Sequence, residues 1–199
     1  MKITVQQLKK AMANRGYTLF SRGDYNLNLI GVRSRDTKAN TFNDVFCVLF
    51  KMAGIEQLWQ FSCTTDPGTY YRLNPLNLLG TAILCPGQYA GMWQLGMHQG
   101  KYPALVQRGE VTVFRDGDKN EELDITDVVQ ETGYFGINGH RASDKGIAEK
   151  VDRFSAGCQV IQDPNEYAML INLIRIAANK HGNSFTYTLL TEQELEQGK

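Results

Sequence analysis

The chain has 199 residues, 42% hydrophobic and 21% charged, which suits a single domain with one substantial core and short appendages. Basic and acidic residues balance at 21 each without a basic block, which argues against a protein that holds nucleic acid by its phosphates. No apolar run reaches the roughly 20 residues a helix needs to cross a bilayer, and Met1-Lys2-Ile3-Thr4-Val5-Gln6-Gln7 lacks the charged-then-apolar build of a secretory signal, so synthesis in the cytoplasm without a signal peptide is expected.

Thr4 is placed to cap a helix through Val5, Leu8 and Met12, with Gly16 ending it. Residues 1–23 then read as a helical lead-in and residues 24–199 as the main domain. From Asn26 the chain turns to short apolar runs broken by glycine, proline, asparagine and aspartate. Strands are expected over Leu27 to Val32, Val45 to Met52, Gln57 to Phe61, Thr69 to Leu73 and Thr81 to Leu84. Further strands are expected over Glu110 to Phe114, Tyr134 to Ile137 and Cys158 to Ile161, while Trp93 to Gly100 reads as a glycine-rich aromatic loop. Asp163-Pro164-Asn165-Glu166 then supplies an N-cap, a first-turn proline and a glutamate three places after the cap. Tyr167, Leu170, Ile171, Ile174 and Ala178 mark the core face of that helix, and Gly182 closes it. A strand from Phe185 to Leu190 precedes a polar tail expected to fray. The fold class is mainly β with flanking helices (α+β), around a compact and mostly antiparallel core.

Of the four cysteines, Cys47, Cys63 and Cys85 sit in apolar, strand-like stretches, where a free buried thiol is the usual role. None forms a Cys-x-x-Cys pair, and the three histidines do not join them at zinc-finger spacing. Cys158 differs. It opens a β run behind Phe154-Ser155-Ala156-Gly157, and His140 ends another run eighteen positions earlier. An imidazole within reach of a thiol can generate the reactive thiolate at neutral pH. Gly157 would let a substrate carbonyl approach the backbone, amides near Gly157 and Cys158 could receive an oxyanion, and Ser155 could orient the histidine or position substrate.

His140 followed by Ser155-Ala156-Gly157-Cys158, with Thr65-Asp66-Pro67-Gly68-Thr69-Tyr70-Tyr71 upstream, resembles the L,D-transpeptidase catalytic domain. The resemblance covers roughly residues 27 to 161. It implies a β-sandwich or barrel core with a helix after the cysteine strand, and a cysteine acyl-enzyme acting on peptidoglycan stem peptides. Cys158 is the implied nucleophile and His140 the base for the thiol and later the acid for the leaving amine. No metal or organic cofactor is implied. The chain departs from the family at Val160, where an arginine is usual, and at Arg141, where a small residue is usual; Arg153 or Arg141 is the candidate replacement for the charge. With no export signal read, the sequence leans towards hydrolysis by a lytic, phage-type enzyme acting at the bacterial wall.

Two rival readings stand beside this one. A glycan-cleaving wall hydrolase would need a carboxylate pair, for which Glu131, Asp144, Glu149 and Asp152 are the nearby residues. A wall-binding or virion structural domain would simply bury Cys158. Trp93 and His98 belong either to a loop lining a substrate groove or to ordinary packing. Asp116-Gly117-Asp118-Lys119-Asn120 alternates oxygen ligands like a calcium loop, but Glu121 holds the place of the required glycine, so a solvated hairpin turn is expected.

Overall fold

The computed structural model describes residues 2–38, 40–126 and 128–196. The first helix, α1 (Val5–Asn14), is capped by Thr4, whose side chain accepts from the Gln7 amide while the Gln7 side chain returns a bond to the Thr4 backbone. There follow β1 (Asn28–Arg33), β2 (Asp44–Met52), β3 (Ile55–Thr64), α2 (Thr69–Leu73), β4 (Thr81–Leu84), β5 (Gly87–His98), β6 (Tyr102–Gln107) and β7 (Val111–Asp116). The chain continues through β8 (Gln130–Gly133), β9 (Gly139–Arg141), β10 (Gln159–Ile161), α3 (Pro164–His181), β11 (Phe185–Thr191) and α4 (Glu192–Glu196).

Among the described residues, eight strands close into a barrel in the order β1-β11-β5-β6-β9-β10-β3-β2, and β4-β7-β8 form a separate three-stranded sheet. Two barrel pairings, β1 with β11 and β9 with β10, are parallel; the others are antiparallel. The architecture is thus mainly β with flanking helices, as the sequence indicates.

Two-residue alternation decides which side chains meet where. Leu29, Phe46, Val48 and Phe50 join the main core with Trp93, Tyr187 and the α3 residues Tyr167, Leu170, Ile171 and Ile174. Their neighbours Ile30, Val32, Val45 and Cys47 face the other way and pack under Leu8, Ala11 and Met12 of α1 and Leu195 of α4. Strands covered on both faces read as unbroken apolar runs, which is why β1 and β2 were legible. Gly31 has no side chain because the Tyr187 ring occupies that place. Cys47, Cys63 and Cys85 are free and buried, as expected.

Four expectations are corrected. Thr69–Leu73 is a helix: Gly68 stands at its N-cap and Arg72 is wholly buried against Asp116, so tertiary contacts override the strand preference of Thr and Tyr. Residues 134–137 are irregular, and the strand lies just before them as β8. Most of the expected 93–100 loop is β5, paired with β6 from Trp93 opposite Gln107 to His98 opposite Tyr102. The fraying tail is instead α4 over residues 192–196, capped by Thr191 and Glu194 through reciprocal bonds; residues 197–199 lie outside the described residues.

Residues 117–122 are exposed, as expected of a solvated turn, but the acid at its start is not. Asp116 is buried, its carboxylate accepts from Arg72 and from the Asp124 amide, and the Asp116, Asp118 and Asp124 carboxylates gather within 4.8 Å. Arg72 supplies the positive charge there.

Candidate active site

The parallel pairing of β9 and β10 sets His140 opposite Val160 and Gly139 opposite Gln159. Cys158, two places before Val160, falls on the same side as His140, whereas Gln159 turns inward. Both Cys158 and His140 line one groove of about 510 Å³, together with His98, Asn138, Arg115 and Arg153. That volume is in the range of small-molecule and peptide sites. No carboxylate is among the groove's described lining residues, which include two arginines.

The loop carrying Cys158 is held from several directions. Ser155 Oγ donates to the Cys158 carbonyl at 2.9 Å and accepts from the Gly157 amide at 3.1 Å. Gly157 has φ +122°, and an added Cβ would overlap the Ala82 carbonyl of β4. Gln159 Nε2 donates to the Thr65 carbonyl at 3.3 Å, and Tyr187 Oη donates to Gln159 Oε1 at 2.7 Å. The Gly68 amide donates to the Ser155 carbonyl at 3.0 Å, and a side chain at 68 would run into the Asp152 backbone. The Thr65–Gly68 motif therefore acts as a brace for the cysteine loop. Arg33 anchors that brace through Thr65 Oγ1 at 3.1 Å and Asp66 at 2.8 Å, and Asp44 accepts from the Thr65 amide at 2.7 Å.

The protonation of the pair follows from its bonds. His140 Nδ1 lies 2.8 Å from the Arg141 carbonyl, which can only accept, so Nδ1 carries the hydrogen and Nε2 keeps its lone pair. Burial, then the neighbouring His98, pushes His140 down to about 4. Burial pushes the Cys158 thiol up to about 11, opposed by the Asn138 amide 3.5 Å from the sulfur. At neutral pH Cys158 is a thiol that donates to the Gly136 carbonyl at 3.5 Å, and His140 is a neutral imidazole in the same groove, which suits a base that takes the proton during attack.

The other sequence candidates divide. Ser155 is buried and its hydroxyl bonds within its own loop, so it positions Cys158 rather than His140. The Gly157 amide is spent on Ser155. Arg153 lines the groove with its guanidinium carbon 3.9 Å from the centre of the Tyr70 ring. Arg141 is directed elsewhere, over Tyr102 at 4.3 Å and towards Asp144 at 3.5 Å. Trp93 is fully buried, stacks near Tyr187 at 4.3 Å and donates Nε1–H to the Ile137 carbonyl at 2.8 Å; it supports the groove wall from within and touches no solvent. His98 lines the groove, from the end of β5.

Asn138, Gln159 and Arg115 went unmarked in the sequence. Asn138 directly precedes Gly139-His140, but Gln159 and Arg115 carry no local signal because their partners lie in distant strands. Arg115 is tied to Glu131 at 2.7 Å. Among the carboxylates of the glycan-cleaving reading, Glu131 is thus paired, Asp144 faces Arg141, and Glu149 and Asp152 border a separate hollow. Comparison with protein-family models, with curated proteins and with solved structures returned no match.

Proposed function

We propose that this protein is a peptidoglycan-active cysteine enzyme of the L,D-transpeptidase type, cutting stem-peptide or cross-link amides through an acyl-enzyme on Cys158. One observation carries the reading: Cys158 and His140 share an accessible groove in which Nε2 of His140 is left as a free base. The fold proposed is correspondingly the barrel of that family, with α3 following the cysteine strand.

In the proposed reaction Sγ of Cys158 attacks the peptide carbonyl while His140 Nε2 takes the thiol proton. The new S–C bond forms, the C–N bond breaks, and His140 returns the proton to the departing amine. Water then attacks the thioester; its proton passes through His140 to Sγ, releasing a carboxylic acid and restoring the thiol. An amine acceptor in place of water would give transfer. Water is the acceptor proposed here, making the enzyme a wall hydrolase of the endolysin type. Arg153, and the absence of carboxylates among the described lining residues, favour a substrate that itself bears a carboxylate, as stem peptides do.

Purified sacculi digested with the wild type and with Cys158→Ala, and analysed by mass spectrometry, test the reading. New free amines or released amino acids from the wild type alone are expected. Reducing sugar ends made equally by both proteins would replace it with glycan cleavage.

A further inference from the structure

The side-chain amide of Asn138 has only one orientation consistent with its partners. The Gln107 amide donates to Asn138 Oδ1 at 2.9 Å, and a backbone N–H can only donate, so Nδ2 is the atom facing His98 Nδ1 at 3.2 Å. Nδ2 donates, so His98 Nδ1 accepts, and the neutral ring carries its hydrogen on Nε2. His140 has the opposite tautomer, with the hydrogen on Nδ1. The two rings stack with centroids 4.2 Å apart and planes 26° from parallel. The groove therefore holds a base and a hydrogen-bond donor side by side on two neutral imidazoles.

Attack by a thiolate creates a charged oxygen that needs donors already in place. The Gly157 amide bonds Ser155 Oγ and is not free for that role. Of the two amides beside the sulfur this leaves only that of Cys158, so a second donor to the acyl oxygen has to come from a side chain of the groove. His98 is half-buried and lines the same groove, and its Nε2–H has no hydrogen-bond partner among the described residues. Its backbone is fixed at the β5 end opposite Tyr102, with the Lys101 amide donating to its carbonyl at 2.9 Å. Burial and Lys101 both disfavour its protonation, so the ring stays a neutral donor.

We propose that His98 is a third catalytic residue, donating from Nε2–H to the substrate oxygen that gains charge as Cys158 attacks. This rests on the reading of Cys158 as nucleophile. It assigns the stacked pair a division of labour, with His140 moving the proton and His98 holding the oxyanion.

Two substitutions separate this role from packing. Asn at 98 keeps an acceptor for Asn138 but has no atom at the Nε2 position, whereas Gln at 98 reaches that position with an N–H. On a synthetic stem peptide, His98→Asn is expected to lower kcat by about 10²–10³-fold with KM changed less than about threefold, and His98→Gln to recover at least about tenfold of the loss. Ring ¹⁵N spectra of the wild type at pH 7 are expected to show Nε2–H at His98 and Nδ1–H at His140. An Asn variant with wild-type kcat, a Gln variant no better than Asn, or the reverse tautomer at 98 would overturn the role. If the wild type works beside an equally active His98→Asn, this role alone falls; if the wild type forms no product at all, the reading of Cys158 falls with it.

Discussion

The His140 ring lies stacked on His98 at 4.2 Å and gives its Nδ1 hydrogen to the Arg141 carbonyl. Two imidazoles at that distance do not both take a proton, and burial already disfavours the charged form. Around His140 stand His98 from β5, Tyr102 from β6 with its hydroxyl 3.4 Å from Nδ1, Arg141 on the same strand, and Cys158 before β10. None of them is a carboxylate that would hold the imidazolium.

The rate profile should carry this signature. With His140 pushed down to about 4, its base form persists through mildly acidic pH, so kcat/KM should fall only as pH approaches 4. The Cys158 thiol, pushed up to about 11, contributes no alkaline break near 8. An acid limb near the ordinary histidine value of 6.5 would show that a different or more exposed base is at work.

The same shift links stability to pH. The unfolded chain takes up the His140 proton near 6.5 and the folded one only near 4. The contribution is therefore complete above 6.5 and is lost as pH falls through the window down to 4. Denaturant midpoints of wild type and His140→Gln should converge on acidification across that window. Parallel curves would contradict it.

Gly157→Ala places a methyl against the Ala82 carbonyl on a backbone of φ +122°. A loss of about 1–3 kcal/mol is expected from the strained conformation alone, with activity falling further because the Cys158 loop must shift. Denaturant unfolding and peptide turnover measure the two effects separately; full activity at unchanged stability would show the loop to be freer than its bonds imply.

Arg33→Met tests the brace. Arg33 is the buried cation against Asp66, and burial together with the Asp66 charge pushes the adjoining Asp44 up to about 7. Removing the cation should cost about 3–5 kcal/mol by leaving buried acid groups uncompensated. It should also loosen Thr65 from Gln159 and slow turnover. An unchanged unfolding midpoint would refute the brace.

Arg153→Gln should raise KM by roughly tenfold and leave kcat within about twofold, as fits a contact made equally in the ground and transition states. The same substitution at Arg141, which is engaged with Tyr102 and Asp144, should leave KM near wild type.

Much of this arrangement was readable from the chain. The caps at Thr4 and Asp163 mark α1 and α3, and unbroken apolar runs mark β1 and β2. The motif around Cys158 and His140 names two residues that the structure brings into one groove. Strand β5 was hidden because Gly91, with φ +60°, and Gly96, which leaves room for Val106, look like loop residues. Helix α2 is hidden because the strand preference of Thr69, Tyr70 and Tyr71 is overridden by distant contacts, Arg72 with Asp116, Thr81 with the Tyr71 carbonyl and Arg153 on the Tyr70 ring. Gln159 bonds Thr65 and Tyr187, 94 and 28 positions away, and no local pattern announces such a bond.

The acyl-enzyme on Cys158 is open to intact-mass spectrometry of the protein mixed with a synthetic stem peptide and quenched in acid. A thioester adduct equal to the peptide less its leaving amine is expected, mapped to Cys158 and absent from Cys158→Ala. Peptide consumed with the sulfur at 158 never modified, or peptide left intact by the wild type, would contradict it.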